Sequence, residues 1–135
     1  MDDALRERVR RRAGSRCEYC RGRQEDYPVF RFHVEHVIAE KHGGTDDEEN
    51  LALACQQCNL HKGSNLSGID PDTNTVVLLF HPRKNDWNEH FSAHGSRIVG
   101  LTPTGRATVR VLNINDDDRV RLRAELGYPG TPQAE

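Results

Sequence analysis

Hydrophobic and polar residues alternate in short runs, each of which predicts a small element. From Asp2 or Asp3 to Ala13 the chain has helix formers without Gly or Pro, acids first and arginines later, with Gly14 as a stop. That pattern predicts a helix. Val29, Phe30, Phe32, Val34, Val37 and Ile38 are β-branched or aromatic and bracket a strand. The polar, Gly-rich stretch HGGTDDEEN predicts a loop, NLALA a returning strand, and Cys55 to Gly63 a short helix.

Further on, DPDTNT is a turn cluster, VVLLF a strand, and HPRKN an extended segment. Asp86 caps a helical turn in which Trp87 and Phe91, four residues apart, are expected in the core. SRIVGLTPTGRATVRVLN alternates around Pro-Thr-Gly and predicts a hairpin, and DDDRVRLRAELG, with acids first and Gly last, predicts a final helix. Residues 128–135 are expected to be a tail. At 135 residues this is the length of one ordinary domain, so we read 1–135 as a single α+β domain: a core motif over 15–66 and an α/β extension over 67–127.

Only 35% of the residues are hydrophobic and 30% are charged, so the core is thin and a covalent or metal staple would help. The four cysteines supply one. Cys17, Cys20, Cys55 and Cys58 form two Cys-x-x-Cys knuckles, a spacing that suits one tetrahedral Zn(II) with Zn–S bonds of about 2.3 Å better than two disulfides. With no signal peptide and no apolar run of transmembrane length, the expectation is an intracellular, cytoplasmic protein with no membrane partner.

The formal charge of −2 hides an asymmetry. Residues 1–24 hold eight arginines against four acids, and the rest of the chain is acidic. A basic segment leading into a zinc knuckle suits contact with phosphates.

The helix over 55–63 is the most constrained element. At 100° per residue Cys55, Cys58, Asn59 and Lys62 share one stripe, while Leu60 is expected to point towards the core. The stripe that carries the thiolates must face the strand pair across the metal, which brings Asn59 towards Glu35 and His36. A carboxylate and an amide oxygen are hard ligands suited to Mg(II) or Mn(II), and an adjacent imidazole can take a proton from water. In a regular strand, however, Glu35 and His36 point to opposite faces. Both can serve one site only if the strand ends or bulges there.

Glu35-His36, Asn50, Asn59 and the following Lys62-Gly63 resemble the HNH endonuclease signature, and the flanking knuckles resemble its zinc-stapled branch. The resemblance implies a ββα-metal (His-Me finger) core with a four-cysteine structural zinc site, an N-terminal helix, and a C-terminal β-hairpin and helix. It implies hydrolysis of DNA phosphodiester bonds, with His36 as general base and Glu35 and Asn59 holding a catalytic Mg2+ or other divalent ion. Asn50 would hold the loop and orient His36, and Lys62, Arg12 and Arg16 would contact DNA phosphates. The setting implied is bacterial or phage-like. This chain has Glu where the family commonly has Asp before the His, and Asn where the last letter is often His; both keep an oxygen ligand.

Two other readings compete with this one. A zinc-stapled module that binds nucleic acid without cutting it would share the zinc and the basic helix. A zinc deaminase would use His33-x-Glu35 with Cys55-x-x-Cys58, but Ala54 stands where its signature has Pro, and Cys17 and Cys20 would have no role. His33 lies on the Glu35 side of the strand and is close enough in sequence to approach a metal. The acidic run Asp46, Asp47, Glu48 and Glu49 is expected to be solvated.

Overall fold

The computed structural model describes residues 1–127; the expected tail over 128–135 lies outside them. The chain divides into two compact units, one of Met1–Ser64 with His81–Lys84, the other of Asn65–Phe80 with the residues from Asn85 on.

In the first unit, helix α1 (Asp3–Arg12) starts at Asp2, whose side chain accepts from the Leu5 amide, and has Ala13 as its C-cap. Strands β1 (His33–His36) and β2 (Leu51–Ala54) pair antiparallel in regular register, Glu35 opposite Ala52 and His36 opposite Leu51. Helix α2 (Gln56–Lys62) follows β2 directly, with Cys55 as its N-cap. Both helices pack on the strand pair. Every residue of β2 is buried.

The strand bracketed over 29–38 is shorter than expected. Pairing covers only His33–His36, and Val29 and Phe30 are exposed in the preceding loop. Leu60 also departs from expectation, since it is 67% exposed and the polar stripe of α2 is the buried one. The short helix turns its thiols and Lys62 inward because the metal site and a buried carboxylate lie there.

In the second unit, β3 (Ser67–Ile69) pairs with β4 (Val76–Leu78) around the predicted turn. The turn α3 (Trp87–His90), capped by Asp86, leads into β5 (Phe91–His94). Phe91 is buried and Trp87 packs on it with ring centroids 5.1 Å apart. Strand β5 pairs with β6 (Arg97–Gly100).

The predicted hairpin over 96–113 is therefore only half right. RIVG is a strand, but it pairs backwards with FSAH, and Pro103–Val111 is helix α4. Thr102 caps α4 by accepting from the Gly105 amide, and Pro103 takes the first turn, where a missing N–H costs nothing. Gly105 lets this helix approach the chain, because a Cβ there would lie 2.1 Å from the His90 carbonyl oxygen. Helix α5 (Asp117–Leu126) ends at Gly127 in the left-handed conformation. Among the described residues no helix is long and apolar enough to cross a membrane.

Candidate active site

The two knuckles meet. Cys17, Cys20, Cys55 and Cys58 are all buried, and their sulfur atoms lie within 4.8 Å of one another. Cys20 and Cys55 are 3.8 Å apart, which equals the edge of about 3.8 Å that a sulfur tetrahedron has at Zn–S bonds of about 2.3 Å. All four are free of disulfides. Burial pushes the Cys17 and Cys58 thiols well above their ordinary range, so thiolates here need a cation among them. The set fits a structural zinc ion.

From this cluster the chain reaches the strand pair through Tyr19, which lies inside the first knuckle. Its hydroxyl donates to Glu35 Oε2 at 2.5 Å. Glu35 is 8% exposed, and burial raises its carboxyl above the usual range although Lys62 and Tyr19 pull it down. Burial and the Glu35 charge push the Tyr19 phenol well up in turn. Sequence reasoning misses Tyr19, whose only signal is an aromatic residue set between two metal ligands.

Lys62 is a correction. The family resemblance puts it on a phosphate, yet it is 1% exposed, donates to the Val37 carbonyl at 2.8 Å, and lies 3.7 Å from Glu35 Oε1. Its ammonium is spent inside the protein. Arg12 likewise donates to the carbonyls of Glu48 and Leu51, and Arg16 to that of Arg21. The Arg12 guanidinium ties α1 to the start of β2, whereas Arg16 is exposed and its guanidinium bonds within its own knuckle.

Asn50 is buried beneath the loop. Its amide nitrogen donates to the carbonyls of Ile38 and Thr45, its amide oxygen accepts from the Ile38 N–H, and its own carbonyl accepts from Val37. Gly44 makes this possible, because a Cβ there would fall 1.6 Å from the Ile38 oxygen. The loop is thereby pinned to the residues just after His36.

The strand does not bulge; it ends at His36. Glu35 turns inward to Tyr19 and Lys62, while His36 stays partly exposed and its Nε2 meets Asp46 Oδ1 at 2.7 Å. That bond holds the Asp46 carboxyl below its ordinary range. Asp46, expected to be merely solvated, is thus a partner of His36.

Even so, Glu35, His36 and Asn59 line one open groove of about 330 Å³, together with His33, Glu40 and Gly63. The Asn59 amide has no hydrogen-bond partner among the described residues. A buried carboxylate, a free amide and an imidazole around one opening make a donor set that a hard divalent ion can use while keeping several waters.

Residues 17–65 match the HNH endonuclease family model. No curated protein and no solved structure matches the chain. The matched segment contains all four cysteines, the β1–β2 pair and α2, and its mixed α+β structure with clustered cysteines is consistent with the zinc-stapled HNH fold. The family is one of nucleases, which act on nucleic acids.

Proposed function

We propose that the protein is a metal-dependent endonuclease that hydrolyses phosphodiester bonds in DNA. The observation that carries this reading is the single groove onto which Glu35, His36 and Asn59 open, inside the segment that matches the HNH family. Glu35 and Asn59 would hold a Mg2+ or similar divalent ion, which when bound neutralises charge on the scissile phosphate and the leaving oxygen.

His36 is the general base. With its Nε2–H donated to Asp46, Nδ1 keeps the lone pair that takes a proton from water. Asn50 fixes the backbone after His36 and so the direction of the ring. Tyr19 and Lys62 hold Glu35 in one rotamer, and the cysteine cluster anchors both Tyr19 and α2. Residues 67–127 are an extension of this nuclease domain, which works inside the cell.

Nicking of supercoiled plasmid tests the proposal. Mg2+, Mn2+ or Ni2+ should support nicking, and His36→Ala should lower the rate about 10²- to 10⁴-fold while zinc stays at one per chain. Full activity in that variant would remove His36 from the chemistry. Binding of DNA without cleavage in any of these metals would leave a binding module instead.

A further inference from the structure

Two features of the first unit have no part in the proposed chemistry. One is a second groove, of about 260 Å³, lined by Arg10, Arg11, Arg31, Glu7 and Gln24. Arg10 is held below its ordinary range by burial first and then by the charge of Arg31. Glu7 is the lining carboxylate and meets Arg31 at 3.8 Å. The Arg11 guanidinium has no hydrogen bond or ion pair among the described residues. Three cations around one cleft against one carboxylate leave a surplus of positive charge that an anion would neutralise.

The other feature is the loop at the rim of this groove, where Val29 and Phe30 are 81% and 56% exposed. The loop is firmly held. Gln24 Nε2 donates to the carbonyls of Tyr27 and Phe30, both at 3.0 Å, and Gln24 Oε1 accepts from the Phe32 N–H at 2.6 Å. Arg10 donates to the Phe32 carbonyl at 2.7 Å. Two of the side chains that line the groove, Arg10 and Gln24, therefore also bind the backbone of the loop that carries the exposed Phe30.

We propose that this groove and its rim are a nucleic-acid docking site, in which Arg11 and Arg31 take backbone phosphates, Arg10 holds the rim, and Phe30 stacks on a base. The proposal deepens the nuclease reading, on which it rests for the choice of DNA. Charge selects the occupant, since closely set guanidiniums match a polyanion, and an exposed ring beside them matches a base whose face is free. An apolar protein surface would use the ring and leave the arginines unmatched.

Binding is measured by fluorescence anisotropy with labelled duplex and single-stranded DNA, without added divalent ions and in the His36→Ala background, over a range of salt. The double variant Arg11→Gln/Arg31→Gln should flatten the slope of log affinity against log salt by about one to two units, at roughly 0.9 per duplex phosphate contact and 0.7 per single-strand contact. The control Arg6→Gln/Arg8→Gln removes the same charge from α1 outside the groove and should flatten it less. Phe30→Ala should weaken single-strand binding on the order of ten-fold, Phe30→Trp should restore it, and Phe30→Leu should not.

Equal slopes for the two double variants would overturn the site, because charge alone would then explain the binding. So would a Phe30→Ala variant that changes only the sedimentation behaviour of the protein, which would make the ring a contact between copies. A wild-type protein that never nicks DNA but shows the groove-specific slope would defeat the nuclease reading alone. A wild-type protein that nicks, with no groove-specific effect, would defeat this proposal alone.

Discussion

Glu35 and Asp70 are both buried carboxylates, one in each unit, and their surroundings differ in kind. Asp70 accepts from Arg106 Nε and Nη2 at 2.8 and 3.0 Å, from the Thr73 hydroxyl at 2.7 Å and from the Asp72 amide at 3.2 Å. The Arg106 hydrogen bonds, above all, hold its carboxyl far below the usual range. Glu35 has one phenol and an ammonium 3.7 Å away, beyond hydrogen-bonding distance, and burial holds its carboxyl above the usual range. Asp70 is complete within the protein. Glu35 is short of positive charge and opens on a groove, which is how a carboxylate looks when its remaining partner comes from outside.

The largest test of that contrast is catalytic. Glu35→Gln should lower plasmid nicking by more than about 100-fold, beyond the roughly 10- to 100-fold typical of groups that only support a metal ligand. Asp70→Asn should leave kcat unchanged at a temperature where it is folded. Comparable losses in both variants would abolish the distinction.

Tyr19 gives the next largest effect. If it orients Glu35 towards a divalent ion, Tyr19→Phe should weaken Mn2+ binding about 10- to 100-fold by calorimetry, with zinc content unchanged. Unaltered Mn2+ affinity would make the hydroxyl a packing detail. A smaller and independent effect is stabilisation by the ion. At ten times its Kd, Mn2+ should add about 1.4 kcal/mol to the unfolding free energy of the wild type and of Asp70→Asn, and nothing to Glu35→Gln.

How much of this is legible in the sequence depends on how local each cause is. The cysteine cluster can be read because zinc geometry imposes spacing, and α1 and α5 because their caps and charges lie within a few residues. Residues 103–111 mislead because Ala107, Val109 and Val111 alternate like a strand, while the deciding signals are the Thr102 cap and the burial of Ala107, Thr108 and Leu112 at helical spacing. Val29 and Phe30 have strand-forming side chains but no pairing partner, so composition alone overextends β1. Lys62 looks like a phosphate contact because a lone lysine near a site usually faces water. Nothing local shows that Val37 and Glu35 would enclose it. Tyr19 and Asp46 act through partners 16 and 10 residues away, distances over which periodicity carries no information.

The finest test uses pH, because the two carboxyls are shifted in opposite directions. Asp70 is depressed in the folded state, so the unfolded chain takes up its proton first as pH falls. Its stabilising contribution is therefore complete above the ordinary carboxyl pKa of about 3.9 and drains away below it. Asp70→Asn should melt below the wild type at pH 7, and that gap should narrow as the pH drops through about 4. Glu35 is raised in the folded state, so its contribution is complete below the ordinary range and is lost as pH rises through its folded value. Without divalent ions, Glu35→Gln should gain on the wild type as pH rises over that window. Melting curves in a pH series would show the two differences sloping in opposite directions; parallel curves would mean that both carboxyls are equally well served by the protein.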